Sequence, residues 1–410
     1  MRYKNLFLIT LILLITQAGF AQSKLKTGTW RGVLTNSSGN ELPFNFEVTD
    51  VAGKQHLAII NGAERFKVTD VIQKGDSVFI HMPLFNSDFK LKLTMNVLKG
   101  HWVKHLGDKD TQMSFTAVAG EDFRFSGKGE KPEYDITGRW SAIFGEESHK
   151  DTTVGEFKQT GSKVTGTFLT TTGDYRYLDG AVTGNKLYLS TFDGGHAFLF
   201  TATIKDKQTL VDGKFYSGIS GMDAWNAVRN ENAKLPDAYS LTYLKPGYNK
   251  VDFTFPALDG KKVALSDDRF KGKVVIIQIM GSWCPNCMDE TSYLVDYYKK
   301  YHPKGVEIVG LAYERTTDFA KSVPTVEQLK KRFNITYPIL ITGYTPNRGD
   351  PQKSLPMLAD FKGFPTTIII DKKGDVRKIH TGFSGPGTGE HYAEFTKEFE
   401  KLTNDLLAEK

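Results

Sequence analysis

Cysteine is scarce in this chain, which contains only two cysteines among 410 residues. A fold of this length with a single pair of thiols cannot depend on a disulfide framework, so packed hydrophobic cores must stabilise it. A structural zinc site needs four ligands, and no further cysteine is present to complete one with Cys284 and Cys287. The pair is therefore available for chemistry.

A strong charge imbalance is also lacking. The formal net charge is +6 at pH 7, and the sequence has no run of Lys and Arg and no alternation of basic and aromatic residues. Nucleic acid is therefore not an expected partner. His101 and His105 suggest a metal site, but their segment has the pattern of a strand, where residues four apart are separated by about 13 Å. We accordingly expect no metal ion and no cofactor.

Long apolar runs are missing after the first residues. Residues 6–15 are apolar but too few to span a bilayer, they follow the basic Arg2 and Lys4, and they precede the small residue Ala21. This pattern predicts a signal peptide over residues 1–21 and export of the protein. No cysteine stands directly after the predicted cut, so we expect no lipid anchor. No later segment resembles a membrane span, so we expect no transmembrane anchor in the mature chain.

Residues 22–245 form a β-rich region with two similar halves. Short alternating runs are separated by Gly, Asn and Asp, and long helical periodicity is missing. Gly28-x-Trp30 opens the first half and Gly138-x-Trp140 opens the second. Three later pairs of segments also match: 44–48 with 155–159, 75–82 with 184–191, and 98–102 with 211–215.

The duplication predicts two all-β meanders, over residues 22–132 and 133–245, each folded as a small barrel or sandwich. A single larger sheet built from both halves is the alternative. The Gly-x-Trp opening followed by a meander is similar to lipocalin and avidin barrels. Such a barrel can hold a ligand in its mouth, but its many aromatic residues favour an interior that is filled by side chains.

Both cysteines lie at the junction of a predicted strand and a predicted helix. Val274–Met280 is short, apolar and rich in β-branched residues, as in a strand buried on both faces. Cys284-Pro285-Asn286-Cys287 then opens a helical segment, whose free N–H groups and dipole stabilise a thiolate at Cys284. Cys287 lies one turn later on the same face, within reach of the first sulfur. The arrangement predicts a redox-active pair, with a purely structural disulfide as the alternative.

Strands and helices alternate from residue 246 to residue 410, which predicts an α/β layer structure. We expect the helix after the cysteines to end near Tyr301, and we expect an amphipathic helix over Glu390–Ala408. A short helix is also predicted at residues 355–361. The remaining predicted elements are strands at Val306–Ala312, 337–342, 367–370 and 376–380, and a helix at 325–333.

Three motifs of this region carry a family resemblance. They are the Trp283-Cys-x-x-Cys junction, the Gly363-Phe-Pro-Thr turn, and the segment Phe-x-Phe-Pro-x-Leu-Asp-Gly-x-x-Val-x-Leu-Ser at residues 253–266. On these motifs, residues 246–410 resemble the TlpA/ResA-like branch of the thioredoxin superfamily. The resemblance implies an α/β thioredoxin-like domain and an exported thiol–disulfide oxidoreductase, usually reducing, in the periplasm of a Gram-negative bacterium or secreted. It further implies protein or small-molecule disulfide substrates, an upstream thiol electron donor, no cofactor, and a setting such as cytochrome c maturation.

The resemblance also implies a substrate site beside the cysteines. Pro365 matches the cis-proline that faces the cysteine pair in this superfamily. A cis bond there leaves the backbone of Phe364 free to pair with a substrate strand. Trp283, which precedes the first cysteine, is the third residue expected to bind substrate.

A proton acceptor is expected on the active-site helix. ResA-like proteins carry a Glu three residues after the second cysteine, and Glu290 stands there, whereas Gln278 replaces the titratable Asp that thioredoxin keeps in the strand. By this resemblance, Glu290 accepts the proton of Cys287. From spacing alone Glu290 could equally be an exposed residue in an early helical turn, as we expect for Asp289.

Three functional interpretations remain in competition. The leading one is a protein disulfide reductase in which Cys284 attacks a substrate disulfide and Cys287 resolves the mixed disulfide. A peroxiredoxin-type peroxidase fits less well, because Gly281 stands where that chemistry requires a hydroxyl residue. The third is a protein whose β-rich halves bind a ligand or partner, with the redox domain as an accessory.

Overall fold

The computed structural model of the protein describes residues 24–106, 109–125, 130–145, 151–347 and 349–409, without the side chains of residues 151 and 152. The predicted signal peptide at residues 1–21 lies outside the described residues. Within the described ranges, no helix has the length and hydropathy needed to cross a membrane. The chain forms two large sheets in the β-rich region and a third large sheet in the C-terminal region.

The first β-rich half is a nine-stranded antiparallel sheet whose two edge strands are consecutive in the chain. Its strands are β1 Gly28–Thr35, β2 Glu41–Val51, β3 Lys54–Asn61, β4 Glu64–Val68, β5 Asp70–Lys74, β6 Ser77–His81, β7 Ser87–Thr94, β8 Val97–Leu106 and β9 Lys109–Ala119. The order across the sheet is β4-β3-β2-β1-β9-β8-β7-β6-β5. Since only Thr69 separates β4 from β5, the sheet curls until its edges approach each other and enclose an apolar core.

The second β-rich half closes into a barrel. Its strands are β10 Gly138–Phe144, β11 Asp151–Thr160, β12 Lys163–Thr170, β13 Gly173–Asp174, β14 Leu178–Thr183, β15 Lys186–Phe192, β16 Ala197–Asp206, β17 Thr209–Ser217 and β18 Gly221–Arg229. The order is β11-β10-β18-β17-β16-β15-β14-β12-β13, and β11 also pairs with β12, which closes a ring that excludes only the short β13. A barrel of about eight strands is just wide enough for side chains. Here Trp140, Phe168, Phe200 and Trp225 fill it.

The two halves repeat the same succession of strands, so that β1–β9 correspond in order to β10–β18. Each pair of matching sequence segments overlaps a corresponding pair of strands, namely β1 with β10, β2 with β11, β6 with β15, and β8 with β17. The opening tryptophans even make the same hydrogen bond: Trp30 Nε1 donates to Lys26 O at 2.8 Å, and Trp140 Nε1 donates to Ile136 O at 2.9 Å. The predicted β-rich halves are confirmed, and the alternative of one larger sheet is wrong.

Phe192 of β15 ties the two halves together. Its ring lies against the rings of Phe44, Phe89 and Trp102 in the first sheet, with centroids 4.5, 5.7 and 5.4 Å away. Asn61 Nδ2 also donates a hydrogen bond to Phe192 O at 2.8 Å. Part of the second half therefore shares an apolar cluster with the first half, and the same cluster continues into the C-terminal region.

The C-terminal region is the predicted α/β layer structure. Its strands are β19 Tyr243–Leu244, β20 Thr254–Pro256, β21 Lys262–Ala264, β22 Val274–Met280, β23 Val306–Ala312, β24 Ile339–Ile341, β25 Leu358–Ala359, β26 Thr366–Ile370 and β27 Val376–Thr381. Its helices are α1 Pro285–Tyr301, α2 Phe319–Phe333, α3 Asp350–Ser354 and α4 Glu390–Ala408, with 3₁₀ turns at His302–Lys304 and Pro386–Thr388. The main sheet has the order β24-β23-β22-β26-β27, with β22 to β24 parallel and β26 and β27 antiparallel to their neighbours. Every residue of β22 and β23 is buried, as their apolar sequences predict.

Two elements differ from the predictions. Helix α2 begins at Phe319, six residues early, because Asp318 accepts hydrogen bonds from two N–H groups of the first turn and the helix tolerates Pro324 inside it. Residues 355–361 are not a helix but contain β25, because that segment pairs with β19. The stretch 233–250, which the sequence leaves open as a linker or an edge strand, thus contributes an edge strand. The domain boundaries after residues 132 and 245 stay predictions.

Candidate active site

Cys284 lies where the chain leaves the turn after β22 and enters α1. Its backbone is extended, with φ −99° and ψ 117°, so it is the N-cap residue, and its Sγ accepts a hydrogen bond from Cys287 N at 3.2 Å. Pro285 occupies the start of the helix, where a missing N–H costs no hydrogen bond. The free N–H groups and dipole of α1 are therefore aimed at the Cys284 sulfur and stabilise negative charge on it.

The two thiols differ in their surroundings. Both are free, but Cys287 is completely buried, whereas Cys284 keeps 4% of its surface exposed. Burial raises the pKa of Cys287 well above its usual value, and the hydrogen bond and charge of Cys284 and the charge of Glu290 raise it further. Cys284 is thus suited to attack a substrate, and Cys287 needs a proton acceptor before it can react.

Glu290 is enclosed within the domain, on the same helix as Cys287 and with 1% of its surface exposed. Its two carboxylate oxygens each accept one hydrogen bond, from Gln278 Nε2 at 2.8 Å and from Thr367 Oγ1 at 2.6 Å. Burial raises the pKa of Glu290 to about 7, because two neutral donors only partly replace the water that solvates an ionised carboxylate. The interpretation of Glu290 as an exposed surface residue is therefore wrong, and its catalytic role stays a prediction.

Gln278 connects Glu290 to the helix turn that carries the second cysteine. Its Nε2 lies 3.4 Å from Cys287 O, and its Oε1 accepts a hydrogen bond from Thr291 Oγ1 at 3.1 Å. The amide therefore has a fixed orientation and presents a donor to the Glu290 carboxylate. In this arrangement the strand residue positions the titratable group and does not titrate itself.

The Gly363–Thr366 turn borders the first cysteine. The Phe364–Pro365 peptide bond is cis, and Cys284 Sγ lies 3.8 Å from Phe364 O. The Trp283 ring meets the Phe364 ring edge-on at 5.4 Å between centroids. The structure thus brings Trp283, Phe364 and Pro365 together around Cys284.

Glu314 orders the turn that leads into the cysteines. Its carboxylate accepts hydrogen bonds from Ser282 N at 2.8 Å and from Ser282 Oγ at 2.6 Å, and a third from Thr325 Oγ1 at 3.2 Å. Burial raises the pKa of this carboxyl. Glu314 is not among the predicted site residues, although the sequence carries a signal for it. It follows the C-terminal end of β23, the parallel neighbour of β22, so both strands end at the same edge of the sheet.

The second β-rich half contacts the active site directly. A Cβ atom added to Gly363 would lie 2.6 Å from Thr172 Cγ2, and one added to Gly173 of β13 would lie 2.0 Å from Asn286 Nδ2. Segments from the barrel therefore touch both the proline turn and the Cys-x-x-Cys turn at van der Waals distance. Sequence reasoning missed these contacts, because no local pattern around Thr172 reveals what the barrel packs against.

Arg176 holds this contact together through ion pairs. Its guanidinium contacts Glu64 of the first sheet at 2.5 Å and Asp289 of α1 at 2.8 Å, and its Nη1 donates to Pro285 O at 3.4 Å. The expectation that Asp289 is exposed is wrong, because the β-rich region covers this turn of the helix. A single arginine therefore links both β-rich halves to the active-site helix.

In the part of the chain that the structure describes, no group of three or more His, Cys, Asp or Glu is arranged to hold a metal ion. His101 and His105 both lie on β8, as predicted. His105 contacts two carboxylates on the neighbouring strands, with Nε2 2.9 Å from Asp88 Oδ2 and Nδ1 2.7 Å from Asp110 Oδ1. His105 therefore belongs to a polar cluster that joins three neighbouring strands.

A dithiol at the start of a helix that follows a central strand, with one sulfur that caps the helix and one that is completely buried, is arranged for thiol–disulfide exchange. Fold and site together define a thioredoxin-like thiol–disulfide exchange protein. Comparison with known proteins refines this class. The Redoxin family model matches residues 245–394.

Two relatives and two solved structures are similar to the chain. Thiol-disulfide oxidoreductase ResA of Geobacillus thermodenitrificans is 32% identical over 141 residues, which are 34% of this chain and 72% of that protein. ResA of Bacillus subtilis is 28% identical over 139 residues, 34% of this chain and 69% of that protein. A secreted thiol-disulfide isomerase from Corynebacterium glutamicum is 19% identical, covering 43% of this chain and 97% of its own, with a TM-score of 0.32. A thioredoxin-family thiol:disulfide interchange protein from Chlorobium tepidum is 22% identical, and the match covers 39% of this chain and 96% of that chain, with a TM-score of 0.28.

This chain belongs to the ResA family of thiol–disulfide oxidoreductases. The Redoxin match begins after β19, so both β-rich sheets precede the matched residues. The chain is an enzyme whose catalytic domain lies in the C-terminal region and whose active site is contacted by a region outside the family match.

Proposed function

We propose that the protein reduces disulfides of exported proteins through Cys284 and Cys287. The Cys284 thiolate attacks one sulfur of the substrate disulfide, the substrate S–S bond breaks, and the other substrate sulfur leaves as a thiolate. The Cys287 thiolate then attacks Cys284, which releases the second substrate thiolate and leaves a Cys284–Cys287 disulfide. Two electrons pass from the protein to the substrate, and an upstream thiol donor restores the dithiol.

The observation that supports this assignment best is the asymmetry of the two sulfurs. Cys284 Sγ is the sulfur that caps α1, and it lies 3.8 Å from the carbonyl oxygen of Phe364. A backbone next to the attacking sulfur is suited to pair with an extended substrate segment, which would align the substrate disulfide for attack. Cys287 is buried behind it, where it can reach Cys284 but not a substrate.

Glu290 accepts the proton of Cys287 during resolution. A carboxyl with a pKa of about 7 is half ionised at neutral pH, so it is present as a base when the buried thiol must be deprotonated. The charge of Glu290 also acts on Cys287, which supports their proximity within the same buried site. Gln278 and Thr367 hold the carboxylate in place through their hydrogen bonds.

Reduction is favoured over oxidation by the residues between the cysteines. Pro285 and Asn286 supply no cation beside the Cys284 sulfur, and the Arg176 guanidinium near Pro285 is neutralised by two carboxylates. A strong oxidant stabilises its reduced form with such a cation. We expect equilibration with glutathione and dithiothreitol to give a potential closer to that of thioredoxin, about −270 mV, whereas a value near the DsbA potential of about −120 mV contradicts the reductase assignment.

Export to the periplasm completes the proposal, supported by the signal-peptide pattern of residues 1–21. Cell fractionation of a strain that makes the full chain, with mass measurement of the mature N-terminus, tests this part. We expect the protein in the periplasmic fraction with cleavage after Ala21. An uncleaved protein in the cytoplasmic fraction contradicts it.

Activity is tested with the full chain and a protein disulfide substrate. Pre-reduced protein, freed of small thiols, is mixed with the substrate, and the thiols on each partner are counted. We expect two substrate thiols for each chain oxidised, and none with Cys284→Ser. Thiol formation that persists in Cys284→Ser, or no thiol formation by the unmodified chain, contradicts the proposed function.

A further inference from the structure

A cavity of about 310 Å³ lies between the first β-rich sheet and the catalytic domain, beside the active site. One wall comes from the loop before β7 and the end of β8. The opposite wall comes from Trp283, from the turn that follows β23, and from helix α2. Trp283, which immediately precedes Cys284 in the chain, lines this cavity, so the cavity adjoins the residue next to the attacking cysteine.

Lys104, Arg315 and Lys321 are the Lys and Arg side chains that line the cavity, and the first two come from different parts of the chain. Lys104, at the end of β8, is half-buried, and its Nζ donates to Gly195 O at 2.5 Å. An ammonium group has three donors, so two remain for a further acceptor. The Arg315 guanidinium lies over the Trp283 ring, 5.2 Å from its centroid. Among the described residues, no carboxylate forms an ion pair with Lys104 or Arg315.

Glu314, a buried carboxylate that lines the same cavity, offsets part of the charge of Arg315, but other donors hold its oxygens. Its oxygens already accept hydrogen bonds from the backbone and side chain of Ser282 and from Thr325. Burial lowers the pKa of Lys104 to about 8; the charge of Arg315 contributes to the decrease, and the charge of Asp193 partly opposes it. A site that places two cations close enough to repel each other gains free energy when an anion enters between them.

The apolar part of the wall is suited to the uncharged portion of such an anion. Leu84, Phe85, Pro324 and Leu329 line the cavity together with the Trp283 ring. A ligand that combines an aliphatic stem with a carboxylate would bury its stem against these side chains and present its charge to the cations.

The opposite side of the active site is already occupied. The backbone of residues 171 and 172 packs on Gly382, Thr172 packs on Gly363, and Gly173 packs on Asn286. In this conformation the second β-rich half covers Gly363 and Gly382, while Phe364 remains half-buried beside Cys284. The cavity next to Trp283 therefore offers room for a part of the substrate beyond the segment that pairs with the Phe364 backbone.

We propose that this cavity binds a carboxylate-bearing arm of the disulfide that Cys284 attacks. The inference rests on the proposed function and specifies its substrate class: an acidic low-molecular-weight disulfide, or an acidic peptide segment next to a disulfide. When Cys284 attacks, the arm in the cavity becomes part of the mixed disulfide, and the other half of the substrate leaves as a thiolate. When Cys287 resolves the mixed disulfide, the arm leaves as a second thiolate. Lys104 and Arg315 are specificity-determining residues in this scheme.

The test uses single turnovers of the pre-reduced full chain with glutathione disulfide, which is anionic, and with hydroxyethyl disulfide, which is neutral. The measured quantity is the ratio of the two second-order rate constants. We expect Lys104→Gln and Arg315→Gln each to lower this ratio about 10-fold, the scale of one charge-assisted hydrogen bond. Lys99→Gln is the matched control, because Lys99 is an exposed lysine on the same strand, β8, and its loss changes the net charge equally.

The two sources of a carboxylate are separated by a second pair of substrates, a peptide disulfide with Glu beside each cysteine and its Gln analogue. If Lys104→Gln and Arg315→Gln change the rate ratio for glutathione disulfide, the substrate is a small molecule. If they change only the ratio for the peptide pair, the substrate is a polypeptide. Unchanged ratios in both pairs overturn the proposal. An equal change in Lys99→Gln also overturns it, because the effect would then reflect the total charge only.

Binding without chemistry separates this inference from the proposed function. Calorimetric titration of the full chain with S-methylglutathione, which has carboxylates but no reactive sulfur, is expected to show binding that Lys104→Gln weakens about 10-fold. A chain that binds this ligand but reduces no disulfide contradicts the proposed function and leaves the carboxylate site supported. A chain that reduces hydroxyethyl disulfide but binds S-methylglutathione equally in wild type and Lys104→Gln contradicts the site alone.

Discussion

Replacing Glu290 with glutamine is expected to slow resolution of the mixed disulfide and to remove part of its pH dependence. The substitution keeps the size of the side chain and its capacity to accept from Gln278, but it removes the titrating group. With a pKa of about 7, Glu290 is about one-tenth ionised at pH 6 and about nine-tenths ionised at pH 8. If Glu290 accepts the proton of Cys287, its ionisation alone makes resolution roughly tenfold faster at pH 8 than at pH 6.

The expected loss in Glu290→Gln is about 100-fold in the resolution rate at pH 8, the lower end of the range for general base catalysis. Stopped-flow mixing of the reduced chain with 5,5′-dithiobis(2-nitrobenzoate) measures it. Attack by Cys284 releases the first thionitrobenzoate, and attack by Cys287 releases the second, so the two steps appear as separate phases. Only the second phase should change in the variant.

Glu307→Gln is the matched control, because Glu307 is another buried glutamate of the catalytic domain but lies at the opposite end of β23 from the cysteines. It contacts Tyr298 OH at 3.1 Å and has no contact with the active site in the described structure. A second phase that is unchanged in Glu290→Gln refutes the proton-transfer role. Equal slowing in both variants would show that any buried Glu-to-Gln change in this domain perturbs the site, which also refutes the proton-transfer role.

The same pKa has a consequence for stability. The folded-state pKa of Glu290 is raised from the ordinary 4.5 to about 7, so the folded protein holds this proton more tightly than the unfolded chain does. Stability is therefore lost as the pH rises from about 4.5 to about 7, by up to about 3 kcal/mol for a shift of roughly 2.5 pH units. Glu290→Gln removes this loss, so its midpoint temperature should match that of the wild type near pH 4.5 and exceed it at pH 8. If the difference in midpoint temperature between the variant and the wild type does not grow with pH, Glu290 does not titrate as a buried carboxyl with a raised pKa.

Three further predictions concern the β-rich region. Arg176→Met should lower the free energy of unfolding of the full chain by about 3–5 kcal/mol, because Glu64 and Asp289 would remain partly buried without their common partner. Thermal unfolding at low salt measures this loss, and a change below about 1 kcal/mol contradicts the bridging role. Trp140→Phe should lower the free energy of unfolding by about 1–3 kcal/mol, because Ile136 O loses its hydrogen-bond donor. Trp30→Phe should lower it by a similar amount in the first half, and very different losses contradict the equivalence of the two halves. Residues 22–245 and 246–410 should fold when they are expressed separately, as circular dichroism and proteolysis can show, whereas failure of both pieces contradicts the predicted boundary.

Much of the catalytic domain could be predicted because its signals are local. The apolar run of β22, the cysteine spacing and the periodicity of α4 each depend on neighbours in the sequence, and the structure has these elements at the predicted residues. The position of Glu290 followed from its spacing after Cys287 together with the family resemblance. Its complete burial did not follow, because the partners that enclose it come from β22 and β26.

The unpredicted features depend on contacts between distant segments. Asp289 has the sequence context of an exposed helix residue, and only the approach of Arg176 from the second barrel makes it a partner in an ion pair. Residues 355–361 have helical spacing, but pairing with β19 outweighs that local preference. The cavity beside Trp283 likewise has walls from two regions, so neither Lys104 nor Arg315 is conspicuous in the sequence alone.

The repeat in the β-rich region is an intermediate case. Matching Gly-x-Trp openings indicated two equivalent halves, because a duplicated sequence must place equivalent residues on equivalent strands. Only the structure distinguishes them further: the second half closes by pairing β12 with β14, while the first brings its edge strands β4 and β5 together through the connection between them. The role of β13 at the active site has no counterpart in the repeat pattern.

The assignment of separate roles to the two cysteines is tested most directly by trapping the mixed disulfide. Reduced full-length Cys287→Ser and Cys284→Ser variants are each mixed with a peptide disulfide, and intact-mass and peptide mass spectrometry locate the adduct. We expect a lasting adduct on Cys284 in Cys287→Ser and none forming at a comparable rate on Cys287 in Cys284→Ser. An adduct that forms as fast on Cys287 as on Cys284 contradicts the separate roles of the two cysteines.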